Sequence, residues 1–206
     1  MSFTPVSIKD ANSAEVDMGA FQDAAGNNFP AHSGDTNIAH YRCAKAQLAP
    51  VATPTAYLVI QGSATKTVRI KKIKVHGLAT AAGTMDVIIN KCSAAGTLGS
   101  AVLTALTKVP LDSGNSAATA VVSTVGTANY TTEPTVVGVI GAQRLMLSAD
   151  GSGVNAQPAV WEFGKDGCQA VVLRGTAQHV TISGNGDALP SGAKVDLEVE
   201  WSEDNS

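Results

Sequence analysis

Apolar and acidic side chains alternate strictly over residues 194–201. The segment reads Lys-Val-Asp-Leu-Glu-Val-Glu-Trp, which places the valines, the leucine and the tryptophan on one side and the carboxylates on the other. A period of two residues is typical of a β-strand with one buried and one solvated face. The segment therefore predicts a strand that packs one face against a hydrophobic core.

Similar short apolar segments recur from residue 56 onward, separated by glycine, proline and small polar residues. Helical stretches long enough to alternate with them are missing, which disfavours a parallel βαβ sheet. The pattern predicts an all-β fold, namely an antiparallel β-sandwich that is jelly-roll-like. The predicted strands cover residues 57–60, 66–76, 85–91, 136–140, 144–148, 160–163, 170–174, 179–183 and 194–200.

Three places in this region are less regular. The apolar positions of the strand at 66–76 change phase at Lys71 and Lys72, as expected for a β-bulge with one extra residue. Residues 101–108 have weak helical character, because their valine and threonine content lowers helix propensity. Residues 116–120 are predicted as a helical turn.

Residues 1–52 differ from the remainder and predict an extended N-terminal arm and linker. They hold only short apolar spots, with Phe21 and Phe29 isolated in a polar context, and cannot bury enough area to fold alone. The prolines that follow residue 49 bias the residues before them toward extended geometry. We expect the arm to lie on its own domain or on a neighbouring chain, and residues 53–206 to form the β-sandwich body.

Charged residues make up 15% of the chain, below the roughly 25% typical of globular proteins. Such a surface is either covered by neighbouring molecules or rich in solvated serine, threonine and glycine. The net charge of −3 gives no general attraction to nucleic acid or to an anionic membrane. No apolar run approaches the ~20 residues of a membrane span. The first residues lack the pattern of a secretory signal, so we expect synthesis in a cytoplasm.

The three cysteines, Cys43, Cys92 and Cys168, do not form the clusters that a structural zinc site needs. The simplest interpretation is three reduced and mostly buried thiols, because cysteine is among the most buried residue types. The alternative is a cross-link between subunits after release from the cell, where disulfides persist. Cys43, which lies in the predicted arm, is the candidate for that cross-link.

The charges are concentrated in one basic and one acidic strand. The basic strand carries Lys66, Arg69, Lys71, Lys72 and Lys74, and the acidic strand carries Asp196, Glu198 and Glu200. The basic cluster either binds phosphate or another polyanion, or pairs with the acidic strand within one sheet or between subunits. Cross-strand pairs of opposite charge contribute roughly 0.2–1 kcal/mol each. Aromatic residues for base stacking are not interleaved, which argues against nucleic acid.

The sequence contains no recognisable constellation for catalysis, metal binding or cofactor binding. It has no GxSxG nucleophile motif, and residues 62–67 lack the first glycine of a phosphate loop. Residues 150–153 and 185–187 carry too few acids for a calcium cage and are predicted turns. Trp161 and Trp201 are predicted core anchors. The histidines are scattered and lack metal-ligand spacing: His32, His40, His76 and His179. We therefore predict no catalytic, metal-binding or cofactor-binding residue and no cofactor.

Several segments resemble small virion structural proteins of tailed bacteriophages. The resembling segments are residues 8–12, 29–32, 41–50, 62–70, 77–83, 172–178 and 189–201. They span nearly the whole chain and consist of turns and strands rather than chemical signatures, so the resemblance carries no functional residue. It implies a capsid decoration (cement) protein, a β-sandwich that is often trimeric and sits on the shell.

From these observations we predict a non-enzymatic virion protein, made in the host bacterial cytoplasm, that decorates and stabilises the capsid by bridging its subunits. Its partners would be the major capsid protein and itself, as a homotrimer, without nucleic acid or membrane. A tail, baseplate or head-fibre component is an alternative. A glycan-binding module on the virion surface is another, and it predicts an exposed aromatic side chain near a calcium-like loop. Deleting residues 1–45 is predicted to leave a folded body that no longer attaches.

Overall fold

The computed structural model describes residues 8–9, 15–16, 20–22, 28–30, 38–51, 56–99, 102–125, 130–152, 157–165 and 168–205. The chain divides into two compact units, Met1–Asn37 and Ile38–Ser206. The second unit thus begins at residue 38, whereas the sequence predicted a body that begins at residue 53. The first unit contains two antiparallel pairs, β1 (Ile8–Lys9) with β2 (Glu15–Val16) and β3 (Ala20–Gln22) with β4 (Asn28–Pro30).

The described residues of the second unit form strands, turns and loops without any helix, so the predicted all-β class is confirmed. The strands are β5 (Ala39–Leu48), β6 (Ala56–Gln61), β7 (Lys66–Ala79), β8 (Gly83–Ala94), β9 (Leu103–Ala105), β10 (Val109–Pro110), β11 (Val121–Val125), β12 (Thr135–Ala149), β13 (Ala159–Glu162), β14 (Val171–Leu173), β15 (His179–Ser183) and β16 (Lys194–Asn205). Among the described residues, no helix is long and apolar enough to cross a membrane.

The strands form a curled, sandwich-like arrangement of two sheets. The first sheet has the order β10-β5-β16-β7, with β13 and β14 paired to the other edge of β7. The second sheet has the order β12-β8-β15-β6-β11-β9. The two are joined where β7 and β12 run parallel for two residue pairs, Leu78 with Ser148 and Ala79 with Ala149. The strands β10 and β9 are therefore the two ends of one continuous curled sheet.

β16 shows the predicted alternation. Val195, Leu197, Val199 and Trp201 are each 2% exposed or less and join a core to which both sheets contribute. The Trp201 ring stacks on that of Tyr41, with ring centroids 5.8 Å apart. Burial of such large rings contributes strongly to core stability. Trp201 is thus the core anchor that the sequence predicted.

Trp161 in β13 is half-buried and packs against the same core. The space beside it is limited, because a Cβ atom on Gly141 would lie 2.7 Å from the indole nitrogen. Glycine at this position of β12 lets the indole ring of β13 approach the neighbouring backbone closely.

The bulge predicted in β7 is confirmed. Glu200 lies opposite Lys72 and Trp201 lies opposite Ile70, so Lys71 is the extra residue. On either side of it, Ile70 and Ile73 are both fully buried. The bulge therefore restores the inward phase of the apolar side chains after Lys71 and Lys72.

Three local predictions were wrong. β9 lies within residues 101–108, which therefore contain a short strand in place of a helix. Residues 116–120 were predicted as a helical turn, but residues 116–119 adopt no regular structure. β12 runs through residues 135–149 without a break, because register shifts between Thr135 and Val136, between Val136 and Gly138 and between Val139 and Gly141 absorb the irregularity. The two strands predicted in this region are one strand.

β5 carries residues 39–48 into the first sheet, between β10 and β16. Tyr41 is fully buried and Cys43 is 3% exposed. Residues 39–48, predicted as part of the arm, are therefore a structural element of the second unit.

Candidate functional site

Charged side chains are divided unequally between the two sheets. On the strands of the second sheet, the aspartate, glutamate, lysine and arginine residues are Asp86, Lys91 and Arg144. All other residues of these four types on the described strands of this unit lie in the first sheet. The two sheets of this unit therefore differ in polarity.

In the first sheet the charges pair across strands. Glu198 lies opposite Lys74, and Glu200 lies opposite Lys72. Arg42 of β5 donates to Glu200 over 2.7 Å. This register confirms the interpretation that the basic and acidic strands pair with each other, and it places the pairing within one sheet. Because exposed pairs contribute about 1 kcal/mol or less, their main effects are on register and solubility.

In the second sheet the few charged groups have partners. Arg144 Nε donates to Asp86 Oδ1 over 2.8 Å, and the Asn185 amide donates to Asp86 Oδ2 over 3.2 Å. The hydrogen bond from Arg144 is the main reason that the pKa of Asp86 is lowered. Lys91 Nζ donates to Val172 O of β14 over 2.6 Å and thus reaches the first sheet. The second sheet therefore presents an outer surface with little net charge.

Clefts of about 400, 250 and 140 Å³ lie on this side of the second sheet. The first is lined by residues that include Ile88 and the ion-paired Asp86 and Arg144. The second is lined by apolar and neutral polar side chains that include Asn90, Val136, Val139 and Ser183, and by Glu133. The Asn90 amide donates to Ser183 Oγ over 3.3 Å.

The third cleft is lined mainly by apolar side chains that include Val59, Leu98, Leu103, Val121 and Tyr130. We call the outer face of β12 and β8, with the clefts that border it, the neutral surface, because its charges are few and of both signs.

A cleft of about 420 Å³ lies on the opposite, charged sheet. His76 Nδ1 lies 3.7 Å from Asp196 Oδ2, and Asp196 Oδ1 accepts a hydrogen bond from the Gln47 backbone N–H over 2.7 Å. Lys45, Lys74 and Glu198 complete the charged lining. The lining of this cleft contains no hydroxyl or thiol group, and its charged groups belong to the cross-strand ladder described above.

The histidines that the sequence singled out are dispersed. His40, His76 and His179 lie on β5, β7 and β15, while His32 falls outside the described residues. Within the described part of the chain, no three His, Cys, Asp or Glu side chains cluster to hold a metal ion. His179 is buried with Nδ1 2.8 Å from Ala177 O, and burial lowers its pKa.

Residues 62–65 form the turn before β7, which begins at Lys66. Ser63 Oγ accepts hydrogen bonds from the backbone N–H groups of Thr65 and Lys66, over 3.1 and 3.2 Å. A serine hydroxyl that bonds nearby backbone in this way is an ordinary turn feature. The geometry agrees with the rejection of a phosphate loop from the sequence.

The burial of the cysteines does not suit the predicted cross-link between subunits. Cys43 is buried, and burial raises its pKa to about 12, so its thiol is neither accessible nor ionised near neutral pH. Cys92 is also buried, whereas Cys168 is exposed. The predicted candidate Cys43 is therefore unsuited to pairing with another subunit.

Glu203 is a buried carboxylate that the sequence did not reveal. Its oxygens accept hydrogen bonds from the backbone N–H groups of Thr119 and Ala120, over 2.9–3.0 Å. The Thr119 hydroxyl and the Trp201 indole donate to the same carboxylate over 2.6 and 3.0 Å. Burial alone would raise the pKa of Glu203, but these hydrogen bonds together lower it. The carboxylate thereby fixes residues 119–120 to the end of β16.

Comparison with known proteins adds no relative. No family model matches the chain, and no curated protein or solved structure matches it.

Proposed function

We propose that this chain is a non-enzymatic structural protein of a bacteriophage virion that decorates the capsid and bridges its subunits. The observation that carries the proposal is the segregation of charge between the two sheets. A surface with few charges loses little hydration energy when another protein covers it. The resemblance of the sequence to virion structural proteins supports the same assignment. On this proposal the neutral surface faces the major capsid protein and the charged sheet faces solvent.

The composition of the neutral surface suits such a contact. Its apolar residues Val136 and Val139 are 50% and 59% exposed. Neutral amide and hydroxyl groups, such as those of Asn90 and Ser183, lie between them. Protein interfaces are depleted of charged residues at their centres, and the charged residues that line the clefts of this surface are Glu133 and the ion-paired Asp86 and Arg144.

The test is a change of charge on one surface or the other. Ile88→Lys places an ammonium group on the neutral surface, and Ala44→Lys places the same group on the exposed side of β5 in the charged sheet. Both purified variants are added to shells that lack the protein, and bound copies are counted by gel densitometry. We expect Ile88→Lys to lose at least about tenfold in occupancy, since ~1.4 kcal/mol of desolvation penalty suffices for that factor. Ala44→Lys should bind as the unchanged protein does.

Equal occupancy for Ile88→Lys and the unchanged protein would contradict the proposal, provided that thermal melting shows both to be folded. Loss of binding by Ala44→Lys alone would assign the contact to the charged sheet instead.

A tail, baseplate or head-fibre component would use the same neutral surface at another location in the virion. Labelling the protein in intact particles and imaging them distinguishes these locations. The glycan-binding alternative has less support, because Trp201, Tyr41 and Tyr57 are buried in the core and Trp161 is half-buried.

A further inference from the structure

A second, smaller hydrophobic cluster lies apart from the main core, around Val59 of β6. The side chains of Leu98 and Tyr130 pack against this cluster. They belong to residues 95–98 and 130–134, two segments that we call the cover. The cover therefore adds a second, local packing layer to this part of the second sheet.

Backbone hydrogen bonds hold the two segments of the cover together. Thr97 N–H donates to Thr132 O over 2.8 Å, and Thr131 N–H donates to Thr97 O over 2.9 Å. A Cβ atom on Gly96 would lie 2.5 Å from Thr132 O, so glycine at this position permits the close approach of the two backbones. The cover is thus held in a defined position by its own backbone.

The cleft of about 140 Å³ is lined by the cover and by strands of the second sheet. Its described lining is apolar apart from four neutral polar side chains, and it contains no aspartate, glutamate, lysine or arginine. A cavity of this order holds about one benzene-sized ring. A charged molecule would lose hydration there without gaining a partner of opposite charge. The cleft therefore suits a small neutral molecule. The four polar residues are Gln61, Ser123, Tyr130 and His179.

The imidazole of His179 gives this cleft a hydrogen-bond acceptor. His179 is only 4% exposed, and its Nδ1 lies 2.8 Å from Ala177 O. Because a carbonyl oxygen can only accept, Nδ1 carries the proton and Nε2 of the neutral ring is an acceptor. In the part of the chain that the structure describes, Nε2 has no hydrogen-bond partner. Burial also lowers the pKa of His179, which favours the neutral ring.

We propose that this cleft binds a small neutral molecule with a benzene-sized ring and one hydroxyl or N–H group, which donates to His179 Nε2. The ring fills the apolar part of the cleft, and the donor supplies the partner that Nε2 lacks. Small-molecule sites commonly combine an apolar lining with a few polar groups that fix the orientation of the ligand. The site lies within one copy of the chain, so it goes beyond the proposed function and does not depend on it.

Three small probes test the proposal on the full chain. Phenol carries the donor, toluene has nearly the same size without it, and benzoate carries a charge. Amide resonances of the ¹⁵N-labelled protein are followed by nuclear magnetic resonance during titration with each probe. We expect phenol to cause saturable shifts at residues that line the cleft and toluene to bind at least about tenfold more weakly, since it lacks one hydrogen bond. Benzoate should cause no saturable shift.

Two variants separate the hydrogen bond from the filling of the cleft. His179→Phe keeps an aromatic ring and removes the acceptor, so it should bind phenol about tenfold more weakly and toluene as before. Thr181→Val changes another buried polar residue of β15 that is not part of this lining, and it is the matched control. It should bind phenol as the unchanged chain does.

Four outcomes would overturn the proposal. Phenol could cause no saturable shift or shifts only elsewhere, toluene or benzoate could bind as tightly as phenol, His179→Phe could keep the preference for phenol over toluene, or Thr181→Val could lose it. Circular dichroism melting verifies that the variants are folded. If His179→Phe is not, the comparison of phenol with toluene on the unchanged chain decides by itself, because equal affinities contradict the hydrogen bond.

Discussion

A single buried carboxylate, that of Glu203, holds a loop against the core. The loop approaches the core at Ser116, whose carbonyl accepts a hydrogen bond from the Tyr41 hydroxyl over 2.9 Å. Lys108 Nζ donates to Ala120 O over 2.9 Å. Glu203 then binds Thr119 and Ala120 directly. Because the carboxylate satisfies backbone donors that would otherwise be buried without partners, its removal costs more than its own contacts.

We expect Glu203→Gln to destabilise the protein by about 3 kcal/mol. The glutamine amide nitrogen is a donor, and it would face backbone N–H groups that are also donors and need an acceptor. Denaturant unfolding at neutral pH measures the difference. Thr119→Val, which removes one hydroxyl donor and keeps the backbone, is the matched control and should cost about 1 kcal/mol. Equal stability of Glu203→Gln and the unchanged chain would contradict the role of the carboxylate.

The same group makes stability depend on pH. The pKa of Glu203 in the folded protein lies below its ordinary value of 4.5, so the folded state favours the ionised form. Its contribution is therefore fully present above pH 4.5 and is lost as the pH falls through the lowered pKa. Unfolding of the unchanged chain and of Glu203→Gln from pH 7 to acid should show their stabilities converging as the pH falls. A difference that stays constant with pH would contradict this titration.

The sequence analysis missed Glu203, although the period of two extends to it. Glu203 lies two residues beyond Trp201 on the inward face of β16, and it is 2% exposed. What periodicity cannot supply is the partner of a carboxylate on a buried face. Residues 119–120, which bind Glu203, come from a loop 84 positions away in the sequence and leave no periodic trace.

At the scale of elements, β7 and β16 were predictable because the pattern of their side chains indicates how the two strands pair. The change of phase at Lys71 and Lys72 predicted the bulge, and the opposite charges predicted the pairing of the two strands. β12 was less predictable, since Gly138 and Gly141 look like breaks and act as places where register shifts are absorbed. Residues 103–105 form a strand because β11 offers them an edge, which overrides a weak local preference.

Deleting Lys71 tests the bulge in β7. Without the extra residue, either the side chains before it or those after it must turn to the opposite face, because the period of a strand is two. Ile70 and Ile73 cannot then both reach the core, and burial of one such side chain is worth about 1.5–3 kcal/mol. We expect the deletion to abolish cooperative thermal unfolding, while Lys71→Ala, which keeps the residue count, should unfold near the temperature of the unchanged chain.

A deletion variant with a normal melting transition would show that β7 tolerates the shorter register. The tryptophan fluorescence of Trp201, which is fully buried next to the bulge, gives an independent readout of local packing.

At the scale of the whole molecule, composition indicated a surface poor in charge and left its location open. The strands of the second sheet carry few charged residues. Most of the strand charges lie on β7 and β16, which pair side by side in the first sheet. Composition also left open whether the surface is covered or solvated. On the proposed function it is covered, since exposed apolar clusters commonly mark contact sites, and Val136, Val137 and Val139 of β12 are each at least 50% exposed.

The unit boundary at residue 38 changes the truncation that tests the role of the N-terminal segment. The sequence predicted that deletion of residues 1–45 leaves a folded body. β5 begins at Ala39, however, and its Tyr41 ring stacks on Trp201 within the core. A deletion to residue 45 therefore removes most of an internal strand. Removing one large buried ring costs about 3–5 kcal/mol, a large part of the 5–15 kcal/mol that a typical domain has.

We therefore expect a chain without residues 1–37 to unfold cooperatively near the temperature of the full chain, and a chain without residues 1–45 to show no cooperative transition. Thermal melting followed by far-ultraviolet circular dichroism measures both. The shorter truncation also separates folding from attachment, because occupancy on shells can then be compared between two folded proteins. A cooperative transition near the temperature of the full chain, shown by the chain without residues 1–45, would mean that β16 keeps its place without β5 beside it, and that the compact unit begins later than residue 38.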